Sequence, residues 1–284
     1  MNETSEITTV EELFEAAKSA SAGKHLVWFR GQNRVGDDHG KWKLKPQIHR
    51  PWTGPTGKPV YYTHTQEVKM AQLFRTQAVS RHAACPSDGE LGKWLALMRH
   101  YGLPTRLLDW TESILVAAFF AVEEAHSENP FSDKSGYADL PVEKRPPEHQ
   151  PGVIWALKPY QLNRVVDGRA FIMILEMGTR NTPAIIADAF RDNPTATGNW
   201  AAVSHEIDLR IMIQQSRFTI HGSADPLEDH PEAGKFLNRL EIPPGSKKDL
   251  RDALFAAGIR YSTLFPDLSY LAKDISNGVK ESKF

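Results

Sequence analysis

The sequence is short of several things, and each shortage closes off a class of function. Cys85 is its one cysteine in 284 residues, so no intramolecular disulfide can form and a reducing compartment fits. Charge excess is missing too: 34 Lys and Arg stand against 35 Asp and Glu. That balance excludes the basic footprint of broad nucleic-acid binding, although a local basic face stays open. Long apolar runs are absent; Ile114–Val122 is about half a membrane span. The N-terminus, MNETSEITTVEELFEAAK, has neither the basic n-region nor the apolar h-region of a secretory signal, so a cytoplasmic, membrane-free protein is expected. There is no P-loop, no dinucleotide glycine fingerprint, no nucleophile elbow and no His-Glu-x-x-His helix. Eleven histidines are scattered without ligand spacing, so no metal site is expected.

What remains is a chain 40% apolar with seven tryptophans, enough to fill a sizeable core. Thr8 or Thr9 followed by Glu11 or Glu12 forms a capping box and opens a first helix ending near Gly23. The compact apolar run His25–Gly31 reads as a buried strand that delivers Arg30 and Gly31 at its end. Helical spacing marks residues 65–84, and again Leu91, Trp94, Leu95 and Met98 after a Ser87–Glu90 cap. Thr105–Leu108 reads as a short strand, and Asp109 or Thr111 as the cap of an apolar helix over residues 113–125. Strands are expected at 153–157, 171–176, 207–218 and 240–242, with short helices at 184–190 and 247–257, the last closed by Gly258. Residues 126–152 and 221–234 read as polar excursions without core residues of their own. The fold class is α+β, a mixed or split β-sheet with flanking helices.

The segment His100-Tyr-Gly-Leu-Pro-Thr-Arg-Leu-Leu-Asp-Trp-Thr111 is the most informative in the chain. It places two titratable cations, a carboxylate, hydroxyls, a Tyr and a Trp between two core-like helices, where buried polar groups must find partners. One reading is an internal network in which Arg106 pairs with Asp109. Arg30, at the end of an apolar strand, is costly unless paired, and its fork suits a carboxylate or a phosphate. It would either form a structural salt bridge with Asp109 or, with the helix N-terminus at Ser113, receive a phosphorylated ligand.

Phe29-Arg-Gly-Gln32, the His100–Thr111 segment and Val116–Ala121 together resemble the FRG domain family, named for its Phe-Arg-Gly motif. Gln214-Gln-Ser-Arg-Phe218 is similar to that family's Gln-x-Gly-x-Phe element, with Ser216 where Gly is common. Gly258-Ile259 and Phe265–Asp267 also fit. The resemblance places the domain at residues 25–270, after an N-terminal helix (1–24) and before a tail (271–284).

The order of elements also resembles the Arg-Ser-Glu group of ADP-ribosyltransferases. This implies NAD as substrate and a protein or nucleic-acid acceptor. The FRG resemblance implies by association a toxin or antiphage role, with an antitoxin or neighbouring defence protein as partner. The transferase resemblance would put Arg30 on the NAD diphosphate, Thr111 and Trp110 around the nicotinamide, and Tyr101 against the ring. Gly31, Gln32, His100, Thr105 and Arg106 would complete the binding set. The catalytic set would be Arg30, Asp109, Thr111, Glu206 and Gln214. The expected glutamate position holds Gln214 or Gln215, so Glu206, Asp208 or Asp109 would supply the carboxylate. The alternative is a non-catalytic module that senses a phosphorylated ligand or phage component. A divalent-ion nuclease using Asp109 and Glu206 would need a carboxylate cluster that the sequence lacks. Trp28, Trp42, Tyr61 and Tyr62 beside Lys41, Lys43, Lys45 and Arg50 are a further candidate platform for a single strand.

Overall fold

The computed structural model describes residues 5–22, 25–37, 40–123, 140–176, 183–205 and 209–280. Among these, twelve strands are β1 (Ser5–Glu6), β2 (Trp28–Gln32), β3 (Gly36–Asp37), β4 (Gly40–Lys41), β5 (Trp52–Thr53), β6 (Pro59–Val60), β7 (Leu107–Thr111), β8 (Gly152–Leu157), β9 (Met173–Ile174), β10 (Asn199–Val203), β11 (Ser216–His221) and β12 (Leu237–Ile242). Ten helices are α1 (Val10–Ala20), α2 (His64–Ala78), α3 (Leu91–His100), α4 (Ile114–Val122), α5 (Pro159–Asp167), α6 (Ala184–Ala187), α7 (Leu209–Ile213), α8 (Lys247–Ala256), α9 (Tyr261–Leu264) and α10 (Leu268–Lys280). Eight strands make one mixed sheet in the order β1-β12-β8-β2-β7-β11-β10-β9, while β3–β4 and β5–β6 are small separate hairpins. The fold is α+β, with the mixed sheet and flanking helices expected from the sequence.

Strand alternation sorts side chains between two faces. Phe29, Ile154 and Ala156 face a core shared with α1, α4, α8 and α9, whereas Trp28, Leu108, Trp110 and Leu157 face a second core with Leu44 and Phe236. A third cluster packs Leu107, Phe218 and Ile220 under α3 and α6. Helix α4 buries seven of its nine residues, Ile114, Val116–Phe119, Ala121 and Val122. Fully burying side chains of the Val, Ile and Phe type is worth about 1.5–3 kcal/mol each, so this helix is a principal anchor of the fold. It sits directly on backbone: a Cβ at Gly31 would lie 1.9 Å from Ala117 O, and one at Gly152 would lie 2.3 Å from Ala121 O.

The Thr9–Glu12 capping box forms as expected. Other boundaries move. The helix before residue 79 runs His64–Ala78 under a Thr63–Gln66 box, and Ser87 binds the Glu90 carboxylate in the turn that precedes α3. The strand expected at Thr105–Leu108 is Leu107–Thr111, and the following helix is capped by Ser113, whose hydroxyl accepts from Val116 N. The largest correction concerns residues 207–218. Leu209–Ile213 is a helix, and only Ser216 onward is strand. Gln215, with φ 47°, makes the left-handed turn between them. The N-terminal segment is part of the sheet, since β1 pairs with β12, and the supposed C-terminal tail is largely α10. Within 221–234, Leu227 is buried, so that excursion does contribute to the core.

Candidate functional site

The sheet opens at its centre. β2 pairs with β8 from Trp28 to Gln32 and β7 pairs with β11 from Leu107 to Thr111, but β2 and β7 pair only at Phe29 with Thr111. Beyond that point the two strands diverge, and a side chain takes the place of the missing ladder bond. Arg30 Nη1 donates to the Asp109 carbonyl (2.7 Å) and lies 3.9 Å from the Asp109 carboxylate. Arg30 Nε is buried without a partner.

The strong partner of Asp109 is Arg99, in the last turn of α3, which grips the carboxylate through Nε (3.0 Å to each oxygen) and Nη2. Arg99 also donates to Gln47. A cleft of ≈ 280 Å³ opens here, walled by α3, β7, α4 and α7. Its charged lining is Arg30, Arg99, Arg210 and Asp109, with His100 beside them. Arg210 comes from α7, and its guanidinium sits 4.4 Å over the Phe265 ring. The Asp109 side chain is 39% exposed, Arg99 23% and Arg30 17%, so the group reaches solvent.

The electrostatics follow from that count. Burial opposes charge on Asp109, yet Arg99 and then Arg30 hold its carboxyl below the usual aspartate value. Arg99 is pushed up by Asp109. Arg30 is pushed down to about 9 by burial and by Arg50, with Asp109 only partly compensating. Arg50 is lowered likewise, by burial and then Arg99. A guanidinium remains charged at neutral pH in any case; the downward push on Arg30 and Arg50 comes first from burial and then from neighbouring guanidiniums.

The expected site residues divide clearly. Arg30, Gly31, His100, Asp109, Trp110, Thr111 and Gln214 line the cleft. Thr111 is committed to structure, donating to Gln214 O (2.7 Å) and accepting from Ser113 N (3.0 Å). Gln214 in turn holds Leu264 O. Trp110 donates to Thr219, which is 2.9 Å from His221 Nε2. Tyr101 is absent from the cleft lining and packs against Phe74, His82 and His100. Thr105 is buried, its hydroxyl accepting from Leu107 N. Arg106 pairs not with Asp109 but with Glu67 of α2 (2.9 and 2.7 Å), and it also reaches Ile185 O. Gln32 accepts from Trp155 and lines a different cavity. Glu206 and Asp208 lie outside the described residues. Of the suggested strand-binding aromatics, Trp28 is fully buried and Trp42 lies under Arg34. Among the described residues no cluster of His, Cys, Asp and Glu could hold a metal ion.

Residues 25–130 match the family model of the FRG domain. Over those residues the chain is similar to the FRG domain. No curated protein and no solved structure matches the chain. The matched span supplies β2, α3, β7 and α4, hence Arg30, Arg99 and Asp109. The cleft is completed from beyond it, because Arg210, Gln214 and Phe218 belong to α7, the turn and β11. The sequence missed Arg99 and Arg210, and it placed Arg50 only in the separate single-strand platform with Tyr62, which lines a second cleft with it. Only Arg99 carried a usable signal, as a cation ten residues before Asp109 in the last turn of a core helix.

Proposed function

We propose that the cleft binds a phosphate-bearing ligand, received by the guanidiniums of Arg30, Arg99 and Arg210. The observation that carries this reading is the convergence of charge: the guanidiniums of Arg30, Arg99 and Arg210 line one cleft around the single carboxylate of Asp109. Arginine forks match phosphate oxygens bidentately, and the N-terminus of α4 adds favourable dipole at the same wall. This is the ligand-sensing reading, and it needs no catalytic acid.

A second reading is favoured by one observation, the half-exposed Asp109 carboxylate beside Trp110. If the ligand is NAD, Asp109 is held ionised by Arg99 and Arg30 and is suited to stabilise the oxocarbenium charge that develops as the nicotinamide–ribose bond breaks. The ADP-ribosyl group would pass to a protein or nucleic-acid acceptor, consistent with a toxin or antiphage effector and with restraint by an antitoxin. In that reading Gln214 and Thr111 position the wall and do not exchange protons.

Calorimetric titration with inorganic pyrophosphate tests the first reading. Wild type binds, and Arg210→Ala binds roughly 10- to 100-fold more weakly, the loss of one charge-assisted contact. A well-folded wild type with no affinity would sink it. Nicotinamide release from NAD in the presence of cell extract, abolished by Asp109→Asn, tests the second.

A further inference from the structure

Arg30 and Arg99 also wall a second cleft, of ≈ 250 Å³, whose lining includes Gln47, Arg50, Trp52 and Tyr62 and contains no carboxylate. The two clefts lie on either side of the same pair of guanidiniums, Arg30 and Arg99. We infer that Trp52 and Tyr62 form a nucleobase subsite, so that the ligand is a nucleotide whose phosphates lie on Arg30, Arg50 and Arg99. This rests on the phosphate-binding reading and adds the chemical class of the ligand.

Trp52 differs from the other tryptophans in its exposure. The chain's seven tryptophans are all described, and the other six are buried or half-buried; Trp28, Trp94 and Trp110 are core residues. Trp52 is 37% exposed. Its ring lies 6.0 Å from that of Tyr62, tilted by 31°, so the two make an aromatic wall rather than a closed sandwich. The wall is held on both sides. Trp52 opens the β5–β6 hairpin, pairing with Val60, and Tyr62 stands just before the Thr63 cap of α2. The preceding turn is fixed as well, since Arg50 Nε donates to Lys45 O (2.9 Å) and Arg99 ties down Gln47 (3.3 Å).

An exposed indole is left over on a short hairpin unless something covers it. With guanidiniums beside it and no carboxylate in the lining, a planar ring attached to phosphates meets both the indole and the charge. Aromatic side chains stack on any base face, which predicts tolerance of base identity and dependence on the base being present.

The test is calorimetry with ADP, GDP, CDP and UDP against inorganic pyrophosphate, on wild type, Trp52→Ala, Trp52→Phe and Arg30→Ala. The expected result is that wild type prefers the nucleotides to pyrophosphate. Trp52→Ala weakens nucleotide binding roughly 5- to 100-fold and leaves pyrophosphate within about twofold. Trp52→Phe recovers part of the nucleotide affinity, and Arg30→Ala weakens both ligand types. If Arg30→Ala weakens both but Trp52→Ala changes neither, the base subsite is overturned and the phosphate site stands. If wild type binds neither pyrophosphate nor any nucleotide, both fall. Binding of a single-stranded oligonucleotide but of no mononucleotide also overturns the subsite as stated.

Discussion

Two arginines, seven residues from one another, meet opposite fates. Arg106 is sealed with Glu67, their side chains 5% and 7% exposed, and His64 Nδ1 lies 3.3 Å from the same carboxylate. Arg99 meets Asp109 at the lip of a cleft, where Arg30, Arg50 and Arg210 crowd the same carboxylate. The first pair is balanced and dry. The second group is unbalanced and wet. A sealed pair has nothing to offer a ligand, and breaking it leaves a charge in the core without its guanidinium. A carboxylate crowded by several guanidiniums at a solvent-reaching lip is where the proposed external anion would enter.

The largest effect is expected at the sealed pair. Arg106→Ala takes the guanidinium from Glu67 and leaves it the His64 ring, and we expect a loss of about 3–5 kcal/mol in denaturant unfolding, enough to threaten folding. A loss under about 1 kcal/mol would mean that water reaches Glu67. Next comes Arg30→Lys, which keeps the charge but loses the fork. It should hold either the Asp109 carbonyl or a phosphate, with pyrophosphate affinity down roughly tenfold or more; unchanged affinity would remove Arg30 from the ligand set.

Acid sharpens the contrast further. The folded pKa of Asp109 is depressed, so its contribution to stability is present above the unfolded aspartate value of about 4 and is lost as pH falls through the folded value. Asp109→Asn should flatten that acid limb in melts recorded below about pH 4. His221 acts in a higher window. Burial, with His49, Arg30 and Arg50, holds its pKa well below the ordinary histidine value. Stability is then full above about pH 6.5 and falls as acid protonates the unfolded state first; His221→Gln should remove that slope.

The smallest effect on the fold is expected from Arg50→Ala. Burial and then Arg99 oppose its charge, so unfolding should change by no more than about 0.5–1 kcal/mol while nucleotide binding weakens. A large destabilisation would make Arg50 a structural residue like Arg106.

Much of the frame was legible in local signals. Trp28–Gln32, the Thr9–Glu12 box and the apolar run of α4 each announce themselves within a few residues. The failures have physical causes. Five residues at Leu209–Ile213 are too few to show a helical period, and nothing in the letter Gln marks residue 215 for a left-handed backbone. The partner of Arg106 is 39 residues upstream, where Glu67 reads as one more charge on a helix. The cleft wall at Asp109, Trp110 and Thr111 was legible because the motif is dense there, but the excess positive charge around it was not. That excess comes from Arg50 and Arg210, which flank the motif at distances no local pattern spans.

Arg30 also constrains how such a domain can diverge. The side chain that completes the parted sheet is the same one offered to the ligand, so any substitution there disturbs architecture and recognition together. Arg50 and Arg210 carry no such double duty in the sheet. Lineages with altered ligand preference are therefore expected to vary at those two flanking positions while the arginine at the gap stays fixed. A library randomised at residues 30, 50 and 210 and selected for folding alone would expose that asymmetry.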